Sequence, residues 1–448
     1  MGNISEQSSW QRPITAQVQK GLKLVDGILP PELADELSHQ HDPYQLAAYV
    51  ADAAWLNKLT PRIPTRSQSV GVGVRARHAT LLLEFNGDAV LIDPGSDTII
   101  EHANPSMIAI THAHHDHVGG LLIAANLYPQ ASILMTPETF DLLQIPPDDQ
   151  ANAVKQLIRE RGQLHLADGS PLRTHDIDYR FLPAGHLQGA AMIDIQTKDC
   201  RVLITGDFAL RETGGLPGGV WSTAEYDTVI MESSHGWDTN RPTAVPETNW
   251  KSLITACQNA VDDGATRLIV LAAALGEAQD AYFALCASQM RGDFSKFTVR
   301  FAGKALKVAE LYARLARSPH SIWSNPIRTL TNSDYVPENS IVIVGGFDTV
   351  DGMGSRLVES SAAYSHSAVI RPVIGFSNSP GSYTYTVSLH ASFNELFATA
   401  VALKCRQVAL YHGQHGRGEG SSPLIRMLES VGRHVVPLTE TPRIVGAK

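Results

Sequence analysis

The sequence predicts a mixed α/β protein in which a strand-rich part precedes a segment of alternating helices and strands. From residue 72 onward, short apolar runs recur, and several of them end in a histidine, an aspartate or a glutamate. Between residues 249 and 344, helical patterns alternate with apolar strands, which is typical of a parallel α/β unit. The first 70 residues look mostly helical and predict a separate N-terminal extension.

The extension, residues 1–70, is predicted from its prolines and its apolar pattern. Pro30-Pro31 and Pro43 each stand where a helix would begin, a position that tolerates proline. Pro61, Pro64 and the serines that follow predict a linker. A core helix, self-association to a homo-oligomer and docking of a protein partner are all open roles for this extension.

The cysteines, the apolar runs and the net charge limit the cellular setting and the partners that we expect for this chain. The four cysteines are far apart and form no Cys-x-x-Cys pair, which predicts a reducing, cytoplasmic setting and no cysteine-based metal site. No stretch approaches the roughly 18 consecutive apolar residues of a membrane span, so no membrane partner is expected. The formal net charge of −9 counts against a surface that binds nucleic acid everywhere.

The heptad Thr111–His117 is the most informative feature. It places three histidines and one aspartate (His112, His114, Asp116 and His117) directly after the apolar run 107–110. Imidazole and carboxylate groups at this density are typical ligands of a divalent metal, with zinc as the default. The sequence therefore predicts a metal site where this strand ends.

Other apolar runs end in side chains that can bind metal or transfer protons. Each apolar run is predicted to be a strand, and in most cases a glycine or another small residue follows the polar side chain. The polar side chains are Asp93, His186, Asp207, Glu232, His390 and His412. Residues at strand ends along one edge of a sheet lie at a common rim. We therefore expect these side chains to converge with the heptad.

The order of these residues resembles the metallo-β-lactamase fold of binuclear hydrolases. Glu232 in Met-Glu-Ser-Ser-His-Gly, His390 in Val-Ser-Leu-His-Ala-Ser and His412 in Tyr-His-Gly resemble the β-CASP family, which includes ribonuclease J and the endonuclease of mRNA 3′-end processing. The resemblance implies a metallo-β-lactamase αββα sandwich with an inserted α/β β-CASP domain. The implied boundaries are 71–236 and 373–448 for the sandwich and 237–372 for the insertion.

The resemblance also implies roles for individual residues and two Zn²⁺ ions, with Mn²⁺ as the alternative. One ion is expected on His112, His114 and His186. The second is expected on Asp116, His117 and His412, with Asp207 bridging both. The catalytic residues are expected to be Asp116, His390 as general acid and Glu232 as its orienting carboxylate, while Asp93 supports the histidine loop. His115, His235 and His415 are expected to be bystanders or to support the ligands, and His78, His102 and His320 to be unrelated to the site.

Two departures from the family pattern concern the binding of substrate. The family often has an arginine after the glycine that opens a helix of the inserted domain, whereas this chain has Gly276-Glu277. The aspartate that usually follows the motif histidine by two residues is Ser392. Neither departure touches a metal ligand, so both are expected to affect how the scissile strand is held.

The expected function is zinc-dependent cleavage of phosphodiesters in single-stranded nucleic acid by a metal-bridging hydroxide. RNA is favoured because a histidine at the position of His412 is usual in RNA-processing members. The segment 291–328 carries eight basic and two acidic side chains and is either a solvated surface or a wall that faces phosphates. The alternatives are a DNA nuclease, a small-molecule metallo-hydrolase and a non-catalytic scaffold, and the sequence leaves endonuclease and exonuclease action open.

Overall fold

The computed structural model describes residues 72–85, 87–95, 104–143, 149–174, 176–210, 216, 218–220, 224–236, 246–315, 323, 326–330, 335–345, 356–359, 366–372, 383–385, 388–413, 422–438 and 443–445. The chain divides into two compact units, one within Met1–Arg211, Pro217–Thr243 and His390–Lys448, the other within Glu212–Leu216 and Ala244–Leu389. The boundaries implied by the resemblance stay a prediction. The predicted extension 1–70 lies outside the described residues, as do Arg317, His102, His320 and His415.

The first unit contains two seven-stranded sheets. The first sheet has the order β19-β1-β2-β3-β4-β5-β6, with β1 at Val72–Arg77, β2 at Thr80–Phe85, β3 at Asp88–Ile92, β4 at Met107–Ala109, β5 at Ser132–Met135, β6 at Gly162–Leu164 and β19 at Arg443–Val445. The second has the order β18-β17-β11-β10-β9-β8-β7, with β7 at Leu172–Thr174, β8 at Ile177–Pro183, β9 at Ala191–Gln196, β10 at Arg201–Ile204, β11 at Glu225–Glu232, β17 at Lys404–Tyr411 and β18 at His434–Pro437.

Alternating apolar residues of both sheets form one shared core. Val74, Leu81 and Leu83 of the first sheet join Tyr179 and Ile193 of the second, and all five side chains are buried. Because side chains alternate across a strand, each sheet must bury its other face against helices. The two sheets therefore pack as the central layers of a sandwich.

Helices cover the outer faces of this sandwich. They are α2 at Leu121–Leu127, α3 at Pro137–Leu142, α4 at Asp149–Arg161, α8 at Phe393–Ala402 and α9 at Pro423–Ser430, while the short helix α1 at His115–Val118 lies within the heptad. Leu121 of α2 and Ile158 of α4 pack on the outer face of the first sheet, while α8 contacts β11 and α9 contacts β18 of the second. This layering is the αββα sandwich that the resemblance implies, and it confirms the predicted fold class.

The second unit contains a five-stranded parallel sheet with the order β13-β14-β12-β15-β16. Its strands are β12 at Arg267–Ala272, β13 at Thr298–Ala302, β14 at Ser340–Gly345, β15 at Ser367–Pro372 and β16 at Tyr383–Tyr385, and its helices are α5 at Pro246–Asp262, α6 at Glu277–Met290 and α7 at Gly303–Leu315. The alternation of helix and strand predicted for residues 249–344 is thus confirmed. None of the helices in the described part of the chain has the length and hydrophobicity needed to cross a bilayer.

Candidate metal centre

The carboxyl ends of parallel strands bring the predicted residues to one edge of each sheet. β10, β11, β17 and β18 are parallel neighbours in the second sheet, so Asp207, Glu232 and His412 emerge on the same side. β3 and β4 are parallel in the first sheet, so Asp93 and the heptad emerge together. In the first unit, the side chains at these strand ends therefore lie at a common rim with the heptad, as expected.

Two glycines allow the loops at this rim to approach closely. A Cβ atom on Gly120, which follows the heptad, would lie 2.4 Å from the carbonyl oxygen of Gly95. A Cβ atom on Gly413 would lie 2.5 Å from Oγ of Ser233. Both separations are impossible for a real side chain, so only glycine fits at either position.

One group of side chains joins three imidazoles. Nδ1 of His114 lies 3.1 Å from Nε2 of His112 and 3.0 Å from Nε2 of His186. Oδ2 of Asp207 lies 3.6 Å from Nε2 of His112 and 3.8 Å from Nε2 of His186. These four side chains offer ligand atoms close enough together to hold one metal ion.

A second group lies on the other side of Asp207. Oδ2 of Asp116 lies 3.3 Å from Nε2 of His412 and 3.7 Å from Nε2 of His117. Oδ1 of Asp207 accepts a hydrogen bond from Nδ1 of His412 at 2.9 Å. His412 adopts a φ of 49°, a left-handed conformation that is strained for a residue with a Cβ and that concentrates at functional sites.

The donor set fits a divalent cation. Nε2 of His117 is buried and makes no hydrogen bond within the described residues, although Oδ2 of Asp207 lies 3.3 Å away. A buried polar atom without a partner costs free energy, and a cation among imidazole and carboxylate groups would satisfy it. The cluster can therefore hold divalent metal, through residues of the types that zinc prefers.

Charges within the cluster shift the pKa values in opposite directions. Burial lowers the pKa of His117, but attraction to Asp207 and Asp93 outweighs burial and raises that pKa to about 10. His412 is half-buried, and attraction to Asp207 outweighs its partial burial and raises its pKa to about 11. Burial and the neighbouring imidazoles hold the pKa of His112 well below its usual value. Asp207 thus favours the positively charged forms of His117 and His412, whereas His112 stays neutral.

His390 and Glu232 form a separate acid–base pair. Nδ1 of His390 lies 3.3 and 3.4 Å from the two carboxylate oxygens of Glu232 and 3.6 Å from Oδ2 of Asp207. Burial disfavours the charged form of His390, yet attraction to Asp207 and Glu232 raises its pKa above the ordinary value. The His390 side chain keeps 28 % of its surface exposed, which leaves it accessible to a substrate.

The strand predicted before His390 is wrong in its described part. Residues 388 and 389 have no strand structure, and His390 instead precedes helix α8 by three residues. Ser392 caps α8, and Glu395 accepts a hydrogen bond from the backbone of Ser392 in return. The other oxygen of Glu395 accepts from the backbone of Leu210, so this carboxylate ties the His390 loop to the Asp207 loop.

The sequence analysis did not single out Glu395. The Ser-x-x-Glu capping box that contains Glu395 is a recognised start signal for a helix and could have been used. Among the predicted bystanders, His115 is exposed, and the ring centroid of His235 lies 6.0 Å from that of His390.

Comparisons with known proteins agree with this geometry. Residues 73–269 match the family model described as the metallo-beta-lactamase superfamily. The chain is 27 % identical over 195 residues to an RNase J-like protein of Methanocaldococcus jannaschii, covering 42 % of this chain and 45 % of that protein. It is 30 % identical over 197 residues to the transcription termination factor FttA of Pyrococcus horikoshii, covering 40 % and 30 %.

A further relative is the cleavage and polyadenylation specificity factor 73 of Drosophila melanogaster, 25 % identical over 238 residues and covering 47 % of this chain and 34 % of that protein. The chain thus spans less than half the length of these relatives. A crystal structure of a protein of unknown function from Enterococcus faecalis matches 84 % of this chain and all of its own with a TM-score of 0.53 at 11 % identity, which shows the fold alone. Residues 73–269 therefore match a metallo-β-lactamase domain, and the chain is similar to β-CASP nucleases over less than half of its length.

Proposed function

We propose that this chain is a divalent-metal-dependent phosphodiesterase that cleaves single-stranded nucleic acid, with RNA as the preferred substrate. The observation that carries the proposal is the convergence of two ligand groups on Asp207, beside the His390–Glu232 pair. Relatives named as an RNase J-like protein and as a cleavage and polyadenylation specificity factor support RNA as the polymer.

Each ligand group has the composition to hold one ion. His112, His114 and His186 would hold the first ion, Asp116, His117 and His412 the second, and Asp207 lies between them. Zinc fits both groups, and manganese is the alternative for the group with more carboxylate character. When bound, such ions polarise a phosphoryl oxygen and lower the pKa of water.

His390 has the geometry of a general acid. Its Nδ1–H points to Glu232, so Nε2–H remains to donate a proton to the leaving 3′ oxygen. As the oxygen of water forms a bond to phosphorus, the bond to the 3′ oxygen breaks and that oxygen takes the proton of His390. Glu232 and Asp207 stabilise the protonated imidazole, and such proton transfer contributes ~10²–10⁴-fold to the rate.

Asp116 is the exposed carboxylate of the centre. Its side chain keeps 59 % of its surface exposed, whereas that of Asp207 keeps only 2 %. Burial works against ionisation of Asp116, but its contacts with His412 and His117 outweigh burial and hold its pKa well below the ordinary value. Asp116 therefore stays ionised beside the attacking water, whose proton leaves to solvent, while Asp207 is confined to the interior of the cluster. This difference in exposure separates the expected roles of the two aspartates.

Exposed cations of the second unit supply a surface for phosphates. Lys304, Lys307 and Arg314 are exposed on α7, and Arg291 and Lys296 are exposed in the turn that precedes β13. Because the whole chain carries a net charge of −9, we place the attraction of a polyanion on local clusters of cations such as this one rather than on the whole surface.

The proposal is tested with end-labelled single-stranded RNA and DNA of matched sequence, incubated with the zinc-loaded chain and with its Asp116→Ala variant. We expect the chain to cut RNA faster than DNA, and the variant to cut neither at a comparable rate. Faster cutting of DNA would assign the chain to the DNA nucleases. Hydrolysis of an activated ester with neither polymer cut would assign it to the small-molecule hydrolases.

A further inference from the structure

The hydroxyl of Thr111 lies between the carboxylate of Asp93 and the ring of His112. Its Oγ1 is 2.6 Å from Oδ2 of Asp93 and 3.0 Å from Nδ1 of His112. All three side chains are buried. We propose that Thr111 is a positioning residue that fixes the tautomer of His112, so that one carboxylate orients two imidazoles of the metal centre. This inference rests on the proposed metal centre and assigns a role to a residue outside it.

The direction of each hydrogen bond follows from the number of protons available. Asp93 accepts through Oδ1 from the backbone N–H of Thr111 at 2.7 Å and through Oδ2 from the Thr111 hydroxyl. A hydroxyl has a single proton, and here Asp93 receives it. Only a lone pair of Oγ1 then faces Nδ1 of His112, so Nδ1 must carry the proton of that ring. The lone pair of His112 is therefore on Nε2.

Nε2 of His112 is the atom that the metal centre requires. It faces Nδ1 of His114 at 3.1 Å and Oδ2 of Asp207 at 3.6 Å. In the opposite tautomer Nε2 would bear a hydrogen and could not bind a cation. Partners that hydrogen-bond the distant nitrogen of a ligand histidine fix its tautomer and typically contribute 10–100-fold to metal affinity.

The same carboxylate acts directly on His117. Oδ2 of Asp93 accepts from Nδ1 of His117 at 2.8 Å, which turns Nε2 of that ring towards the cluster. The ring centroids of His112 and His117 lie 3.9 Å apart. Asp93 thus orients His117 by contact and His112 through Thr111, although the two rings belong to different ligand groups.

Thr111 also packs against the loop that carries Asp207. A Cβ atom built on Gly206 would lie 2.7 Å from Cβ of Thr111 and 2.9 Å from its methyl group. Gly206 directly precedes Asp207, so Thr111 packs against the backbone that delivers the central carboxylate. The carbonyl oxygen of Thr111 also accepts from the backbone of Ala191 in the second sheet. Thr111 therefore connects the two sheets at the point where their ligands meet.

Thr80 offers a matched comparison beside the same aspartate. Its hydroxyl is also fully buried, but it donates to the backbone oxygen of Asp93 at 2.8 Å and accepts from the backbone of Gly95 at 3.0 Å. Loss of this hydroxyl removes these two backbone contacts, whereas the carboxylate of Asp93 is bonded by Thr111 and His117. The Thr80→Val variant therefore separates a general cost in stability from an effect on His112.

The test compares the full chain with its Thr111→Val, Thr111→Ser and Thr80→Val variants. ¹⁵N NMR of the imidazole nitrogens in the metal-free chain reports the tautomer of His112, and competition with a chromophoric chelator measures the affinity for Zn²⁺. We expect a proton on Nδ1 of His112 in the unmodified chain. Thr111→Val should alter that spectrum and lower the affinity about 10–100-fold, while Thr111→Ser should restore the spectrum and most of the affinity. Thr80→Val should lower only the urea midpoint.

A proton on Nε2 of His112 in the unmodified chain would overturn the inference, even if Thr111→Val failed to fold. Equal losses of affinity in Thr111→Val and Thr80→Val would overturn it as well. An unmodified chain that shows the predicted tautomer but binds no Zn²⁺ would contradict the proposed function instead.

Discussion

The two compact units use the carboxyl edges of their sheets in opposite ways. In the first unit, strands end in aspartate, glutamate or histidine, and every group of ligand-type side chains found among the described residues lies there. In the second unit, the neighbouring strands β12 and β14 end in Ala272 and Gly345, which are paired in register. The comparison shows that strand topology provides an edge, whereas the residue types at strand ends provide the chemistry.

The largest expected effect follows from removal of the central carboxylate of the first unit. Asp207→Asn should lower cleavage by at least about 10³-fold and reduce the bound metal, because this side chain faces both ligand groups. The matched change in the second unit is Glu277→Gln, where an amide oxygen can still accept from the backbone of Ala273. The cleavage rate and the metal content are measured for both variants. A loss in Glu277→Gln as large as the loss in Asp207→Asn would contradict the difference between the two units.

The next effect concerns the acid–base pair. His390→Ala should lower kcat by ~10²–10⁴-fold with the metal content unchanged. Since the general acid must be protonated and its pKa is raised, the rate of the unmodified chain should fall as the pH rises through that raised pKa. The pH profile of the variant should lack this alkaline decline. His115→Ala, which removes an exposed imidazole, should leave both rate and profile unchanged, and a loss of rate there would contradict the assignment of roles.

Among the described residues, each unit also contains a buried arginine that donates to the backbone. Arg433 donates to the carbonyl oxygens of Cys405, Val401 and Leu403 at 2.6–2.9 Å, and Arg267 donates to that of Val336 at 2.9 Å. Arg433→Met should lower the free energy of unfolding by about 3 kcal/mol, because three buried acceptors lose their donor. Arg267→Met should cost less, because Arg267 bonds the backbone oxygen of Val336 and the exposed carboxylate of Glu338, which water can solvate in its place. Urea unfolding measures both variants, and an equal or inverted order would contradict this explanation.

The smallest effect is a pH dependence of stability that belongs to the second unit. Burial raises the pKa of the Cys257 thiol to about 12. The folded chain therefore holds this thiol neutral, so the extra stability is complete below about pH 9 and is lost as the pH rises towards 12. Between pH 9 and 10.5 we expect a loss of about 2 kcal/mol. Cys257→Ala should unfold with a flatter dependence over the same range, and an unchanged slope would contradict the burial of the thiol.

The sequence contained most of the first unit's cluster because its ligands follow a local pattern. Apolar strands that end in ligand-type residues can be recognised without knowing which strands are neighbours, and the heptad supplies four of the predicted ligands from one short segment. The alternation of helix and strand in the second unit is equally local. Its helix α6 at Glu277–Met290 lies within the segment for which that alternation is predicted.

Contacts between residues that are far apart in the chain could not be predicted from the sequence. Asp93 and Thr111 are 18 positions apart, and Leu210 and Glu395 are 185 positions apart. Such pairs depend on how the sheets and loops meet, and no periodicity encodes them. The strand predicted before His390 failed because apolar residues there resemble a strand locally, whereas the capping box that starts at Ser392 makes the chain enter a helix.

The central claim is that the cluster around Asp207 binds divalent metal between its two ligand groups. Anomalous diffraction at the zinc absorption edge, from crystals of the zinc-loaded chain, tests it most directly. We predict two peaks, one beside His112, His114 and His186 and the other beside Asp116, His117 and His412. Peaks only at surface histidines such as His115, with none beside Asp207, would contradict the account.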